Sequence, residues 1–349
     1  DERAAGLPDA SLLDRWLADR PLRVQDRTGA LWVLNTAALR RLGPGELPPG
    51  AERDADGRPT GRFWREDVWL RGACPAALPD LAALGAELAA FGLGLLTDAG
   101  AGNGPGEARI LAGALPQRLT LMGNESLPAG AGYALGPLKL LIDERDPPPP
   151  EALAARIAAA RGQGRAVAAH CTTEAELALF LAALSVAGGA RAGDRVEHGG
   201  LVPPRFLPLL AAAGLLVVTN PAFIHDRGER YRATVPAGCW EHLYPARSLM
   251  AAGVPVVAGS DAPYGAVDPW LGMRAARDRR TAAGNPVGPG QRLGAGAALG
   301  LYCRGSIAPG APADLILCAG SMADVLADLD GGRVRLTLVG GRIVSRGCG

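Results

Sequence analysis

Histidine is scarce in this sequence, with four among 349 residues, and the six cysteines never form a Cys-x-x-Cys pair. Thiols scattered in this way indicate neither a zinc ribbon nor a disulfide framework, and their simplest reading is reduced cysteines in a cytoplasmic protein. Neither charge sign is in excess, because 36 Lys and Arg face 35 Asp and Glu. Without a net field to gather nucleic acid or an acidic membrane, the expected partner is a small molecule. No apolar run is long and unbroken enough to span a bilayer, and Asp1 to Pro8 has no signal-peptide pattern, so a soluble protein is expected. No Met opens the chain, and Asp1 leads straight into loop-like sequence, from which an upstream segment is expected.

Short β-like runs bounded by Gly, Asp and Pro recur along the chain, at residues 93–97, 118–122, 138–142, 166–170, 195–198, 215–219 and 254–260. Helix-compatible stretches separate most of them, the alternation that predicts parallel βαβ units. Ala- and Leu-rich segments at 152–162, 173–187 and 204–213 are expected helices, with a fourth over 268–283; Thr172 and Thr173 ahead of Glu174 and Glu176 form an N-terminal cap signal. The fold class expected is α/β, a TIM-type (β/α)8 barrel with a small β-sandwich appendage. Such a barrel closes with eight strands. Seven are found, so the first is expected before residue 1.

Residues 1–90 read as an elaborated loop segment at the barrel mouth, with Leu22 to Leu39 and the turn from Asp54 to Gly61 as its landmarks. After Gly305 the pattern changes to short strands at 314–318 and 334–344, with Gly340-Gly341 as a hairpin turn. The expected organisation is therefore a barrel over 1–305 and the C-terminal part of a β-sandwich over 306–349.

Two of the four histidines, His170 and His198, end expected strands, where barrel active sites are assembled. Asp261 follows the last strand within Val256-Val-Ala-Gly-Ser-Asp-Ala-Pro263. Lys139 sits in the apolar strand Pro137-Leu-Lys-Leu-Leu141, where an unpaired ammonium is costly. Lys139 to His170 and His170 to His198 each span one βα repeat, and His198 to Asp261 spans two, so all four project to one barrel mouth. Converging imidazoles and a carboxylate make a divalent-metal site of zinc type, which lowers the pKa of a bound water toward neutrality.

The stretches Leu31-Trp-Val-Leu-Asn-Thr-Ala-Ala-Leu39, Asp56-Gly-Arg-Pro-Thr-Gly61, Ala169-His170, Arg195-Val-Glu-His198, Gly259-Ser-Asp-Ala-Pro263 and Ala311-Pro-Ala-Asp-Leu315, with Lys139 on its strand, occur in the order found in a known family. Over almost its whole length the chain resembles the amidohydrolase superfamily, in particular amidohydrolase family 3, which includes N-substituted formamide deformylases. The resemblance implies a metal-dependent hydrolase of a non-peptide carbon–nitrogen bond, of amide type, holding one or two ions. His170, His198, Asp261 and a carboxylated Lys139 would be the metal ligands, and Asp261 would also be the catalytic acid and base. It would take a proton from the metal-activated water and return it to the departing amine.

The family's His-x-His pair at the end of the first strand is absent from the sequence. One N-terminal truncation would account for both this and the missing strand. Lys139 also continues into Leu-Leu-Ile-Asp-Glu144 instead of a Phe-x-Asp-Gly pattern, so a snorkelling or salt-bridged lysine stands nearly level with the carbamate.

Trp32, Asn35, Trp64 and Tyr264 are the candidate substrate contacts, set against ordinary packing for about half of them. His225 and His242 read as surface residues, and Asp98 as a loop brace or a site residue. The Gly-rich run 100–106 reads as a flexible active-site loop, since it lacks a phosphate-loop ending. Cys171 should face a helix, because neighbouring strand residues point to opposite sides. Two rival readings stay open: a heterocycle deaminase using one metal without Lys139, and a metal-free barrel that binds or regulates. Self-association is also open.

Overall fold

The structure is a computed structural model that describes residues 6–26, 29–43, 45–75, 78–144, 146–303, 305 and 307–347. Its contacts separate into two units, Asp1–Pro79 and Asp80–Gly349. Among the described residues no helix is long and apolar enough to cross a membrane.

The first unit holds an antiparallel sheet of β1 (Arg23–Gln25), β2 (Leu31–Leu34), β3 (Ala51–Arg53) and β4 (Pro59–Trp64), in the order β1-β2-β4-β3, with helices at Ala10–Trp16, Thr36–Leu42 and Asp67–Ala73. Where the sequence suggested an elaborated loop, this segment is a folded layer with its own core. Leu34, Ala38, Phe63 and Leu70 form one cluster and Leu13, Leu31 and Val33 another. Its strands are too short and too interrupted by turn residues to register as strands in sequence. The Asp54 turn is the β3–β4 hairpin, in which Asp54 Oδ1 accepts from the backbone N–H groups of Asp56 and Arg58.

The second unit is built on a parallel sheet of β5 (Leu95–Asp98), β6 (Arg118–Gly123), β7 (Ala134–Leu140), β8 (Val167–Cys171), β9 (Arg195–His198), β10 (Leu216–Thr219) and β11 (Val256–Ala258). The seven strands lie side by side in chain order. They are the seven runs read from the sequence. With their intervening helices they make a TIM-type (β/α) barrel sheet, in which β5 and β11 are the edge strands.

Alternation along the strands separates the two faces of this sheet. Leu138, Leu140, Val167, Ala169, Cys171, Val196 and Val217 cluster with Leu153, Ile157, Leu177, Phe180 and Leu184 of helices Pro150–Gly162 and Glu174–Val186. Cys171 therefore faces a helix, as alternation predicts. Each fully buried Leu or Phe of this layer contributes about 1.5–3 kcal/mol. The opposite face carries the residues in between, Lys139, Ala168, His170, Arg195 and Glu197. Helix Glu174–Val186 starts with the expected cap: Thr173 accepts from Glu176 N–H, and the Glu176 carboxylate accepts from the N–H groups of Thr172 and Thr173.

A second antiparallel sheet, β12 (Leu315–Cys318), β13 (Val334–Val339) and β14 (Arg342–Arg346), turns at Gly340-Gly341, where φ is +56° and +77°. It is joined to helix Leu81–Ala90 by Thr337 Oγ1 donating to Ala89 O at 2.7 Å and to β6 of the barrel sheet by the Arg118–Asp314 ion pair at 2.8 Å.

The helix expected to run to residue 283 stops at Asp278, because Arg279 is left-handed at φ +52°. No glycine marks this stop. The chain turns there to bury the Arg279 guanidinium among backbone carbonyls, donating to Val287 O at 3.0 Å, Gly288 O at 3.2 Å, Leu243 O at 2.9 Å and Tyr244 O at 3.4 Å. Arg279→Met would strand these acceptors, and an unmade bond to a buried group is costly. The expected loss is about 3 kcal/mol of unfolding free energy. Urea titration of the variant measures it, and a loss below ~1 kcal/mol would contradict the proposed role.

Candidate active site

Strand register places the polar face in layers. Lys139 on β7 pairs with Ala168 on β8, which pairs with Arg195 on β9. One layer further on, His170 pairs with Glu197, and beyond that Cys171 pairs with His198. Plain alternation would send the His198 side chain to the same side as Cys171, away from His170. The backbone prevents this. His198 has φ +72°, and Gly199 N–H bonds to Glu197 O at 3.0 Å, closing a three-residue turn around it. The two imidazoles then meet edge to face, with ring centroids 4.5 Å apart and planes at 72°.

A left-handed conformation at a residue with a bulky side chain costs on the order of 1–3 kcal/mol. The two following glycines make the turn feasible. A Cβ on Gly199 would come within 2.9 Å of Val217 Cγ1, and one on Gly200 within 2.6 Å of Thr172 O. Asp261, past the end of β11, is also left-handed at φ +55°, and its carbonyl accepts from Tyr264 N–H at 2.8 Å.

His198 Nδ1 lies 2.8 Å from Asn220 Oδ1, and Asn220 Nδ2 donates to Gly259 O at 2.8 Å. Because its NH2 group is committed to a carbonyl, the amide must present oxygen to the ring. This assigns the proton of neutral His198 to Nδ1 and leaves the Nε2 lone pair for chemistry. Asn220 also ties the end of β10 to the segment leading into Asp261.

Burial governs the charges here. It pushes His198 down to about 3, helped by His170 and Lys139, and lowers His170 as well, with Glu176 and Glu197 opposing. Both imidazoles are therefore neutral at pH 7. Burial also lowers the Lys139 ammonium, against the pull of Glu197 and Asp261. Asp261 is pushed up to about 6 by burial, against Lys139 and Arg227. Lys139 thus acts on His170, His198 and Asp261, and His170 acts on His198. Glu197, buried and bonded to Arg195 at 2.5 Å, joins them.

The profile of the Amidohydrolase family matches residues 6–345. The chain belongs to the amidohydrolase family. As an amidohydrolase it is an enzyme acting on carbon–nitrogen bonds. Among curated proteins none matches it by sequence. Among solved structures, an uncharacterized metal-dependent hydrolase from Pyrococcus horikoshii OT3 superposes with a TM-score of 0.67 at 18% identity, over 86% of this chain and 69% of that one. Its counterpart from Pyrococcus furiosus gives 0.65 at 18%, over 86% and 70%. The A. niger ochratoxinase gives 0.54 at 19%, over 80% and 79%. At these identities the likeness is one of fold.

The candidate substrate contacts of this amidohydrolase divide between the units. Tyr264 lies in the loop after Asp261 and is partly exposed, at 39%. Trp32, Asn35 and Trp64 belong to the first unit. There Trp32 Nε1 donates to Asp67 at 2.7 Å and Trp64 Nε1 to Glu52 at 3.2 Å. Asn35 is fully buried, accepting from Leu22 and Ala38 N–H and donating to the carbonyls of Leu17 and Arg20. Asp98 braces the Gly-rich loop, accepting from Gly100 N–H and Asn103 Nδ2 at 2.8 Å each. His225 pairs with Asp226 at 2.9 Å.

Sequence reading passed over Glu197, Arg195 and Asn220 as members of the site. The two-residue spacing of Arg195 and Glu197 inside an otherwise apolar strand was the signal that both face inward. Asn220 had no such signal. The network predicts that His198 keeps its Nδ1–H tautomer, without protonating, from pH 8 down to pH 5. Nitrogen NMR of the imidazoles measures this, and a midpoint near the ordinary histidine value would refute the buried arrangement.

Proposed function

We propose that this amidohydrolase is a zinc-type enzyme hydrolysing an amide-type carbon–nitrogen bond in a small molecule. The carrying observation is the edge contact of His170 with His198, both neutral, on the face of the sheet that carries Lys139. Neutral imidazoles are the form that ligates zinc, and a ring fixed through its other nitrogen, as His198 is by Asn220, is the usual supporting arrangement. Among the described residues no three His, Cys, Asp or Glu side chains stand close enough to hold an ion together. The donor set thus fits the imidazole part of such a site. In this reading Asp261 and a carboxylated Lys139 would supply oxygen donors only on drawing closer to the two imidazoles, and Lys139, with its ammonium disfavoured by burial, is suited to carbamate formation. When bound, the ion would polarise the scissile carbonyl and acidify water.

The chain's own residues do the rest. Asp261, ionised at neutral pH yet titrating close to it, is suited to take a proton from water and return it to the leaving amine. Asn220 holds His198 in one orientation throughout. Tyr264 offers a wall for substrate. The free cysteines at 74, 171, 239, 303 and 318 suit a reducing, cytoplasmic setting.

Elemental analysis with calorimetric zinc titration tests this reading. We expect bound zinc that is lost in His170→Ala/His198→Ala. Among amide substrates, Asp261→Asn should lower kcat by roughly 10²–10⁴ with little change in KM. A chain that binds no zinc and hydrolyses no amide would leave the metal-free binding reading. Release of ammonia from a heterocycle would favour the deaminase.

A further inference from the structure

Three of the non-glycine residues with left-handed backbone, His198, Tyr244 and Arg279, are linked in series. The first link is made at the His198 turn, where Gly200 O accepts from Tyr244 N–H at 2.9 Å. Beside it Leu201 and Leu243 form an antiparallel bridge, and Val202 N–H donates to His242 O at 2.9 Å. Residues 242–244 therefore lie along residues 200–202 as a short clasp. The second link is the buried Arg279 guanidinium, which donates to Leu243 O and Tyr244 O on one side and to Val287 O and Gly288 O on the other. Side chains repeat the connection. The Tyr244 ring meets the Phe223 ring edge to face at 5.8 Å, and Phe223 lies nearly parallel to the His198 ring, 6.5 Å away at an interplanar angle of 14°.

Left-handed backbone is costly at side chains of this size and persists only where the surroundings over-determine it. Gly199 and Gly200 give the His198 turn room but no side chain with which to hold it. Gly200 is held instead through its backbone, its N–H by Cys171 O at 3.0 Å and its carbonyl by the clasp. The clasp in turn depends on a charge buried at some cost. An apolar side chain at 279 would avoid that cost, but it could not bond two separate stretches of backbone as a guanidinium fork does. We infer that Arg279 is a positioning residue for the candidate site: by gripping the carbonyls of Leu243 and Tyr244 it fixes the clasp, and through the clasp it keeps the His198 ring turned toward His170. The inference rests on the proposed function for what that ring does, and on the backbone alone for where the ring is held.

The test observes the rings directly, by proton and nitrogen NMR of the folded full chain, whose four histidines give a sparse spectrum. Two signals report the turn: the nuclear Overhauser contact between the His170 and His198 rings, and the resonance of the His198 Nδ1–H bonded to Asn220. Arg279→Met should lose both. Arg279→Lys, whose single ammonium cannot span both stretches of carbonyls, should keep them weakened. Thr337→Val removes the buried bond to Ala89 O, away from the clasp, and should keep them at full strength. An Arg279 of purely structural role would lower the unfolding free energy and leave the spectrum of the folded molecules unchanged. Both signals intact in Arg279→Met, or lost equally in Thr337→Val, would overturn the proposal. Should Arg279→Met fail to fold, Arg279→Lys decides: signals at full strength overturn it. Zinc uptake by the same samples separates this inference from the proposed function. Signals lost in Arg279→Met, with no zinc taken up by the unsubstituted chain, would keep the positioning role and sink the zinc reading. Signals intact in Arg279→Met, with zinc bound by the unsubstituted chain, would do the reverse.

Discussion

Everything at the candidate site follows from the way the backbone leaves β9. A strand that ran on regularly would carry His198 over to the helix side with Cys171, and His170 would stand alone among Lys139, Arg195 and Glu197. The left-handed turn at His198, closed onto Glu197 and given room by Gly199 and Gly200, moves one ring across the sheet surface. The interior is close-packed on the helix side, where Phe180, Leu177 and Ile157 leave no slack, so the strained turn is held by its surroundings. Conformational strain is exchanged here for proximity.

Desolvation then sets the character of the cluster. Each group is shifted toward its uncharged form: the imidazoles and the lysine downward, the carboxyl upward. Under the proposed function this suits an arriving cation, which would favour the ionised carboxylate and meet imidazoles that are already neutral. The Arg195–Glu197 pair on the same face is internally compensated, so it shapes the field without competing for that cation.

Much of this was legible in the sequence. Seven short apolar runs, most of them separated by helix-compatible stretches, defined the parallel sheet, since strands buried on both faces read as apolar runs. Lys139, His170, His198 and Asp261 stood out because polar groups at the ends of apolar strands need a purpose. What was hidden depended on tertiary context. The β1–β4 layer was missed because three-residue strands such as β1 and β3 carry too little alternation to register. The stop at Arg279 was missed because a buried guanidinium, and no glycine, terminates the helix. The crossing of His198 toward His170 was not legible, because repeat spacing predicts which end of the barrel a residue reaches but not which side of its strand it occupies.

The ordering of the sheet has a consequence for how the chain assembles. Every strand of the barrel sheet pairs with its immediate predecessor in the chain, so each βα unit can dock on the one before it with a short loop to close. Other contacts join residues far apart in sequence, among them Trp270 Nε1 to Phe91 O and Thr337 Oγ1 to Ala89 O. Both converge on the short stretch just before β5. Chain growth from the N-terminal side would therefore leave the stretch before β5 without these partners until Trp270 and Thr337 have been made. Until then the chain leading into the edge strand β5 is held only by local contacts, and an unpaired strand edge is open to mispairing.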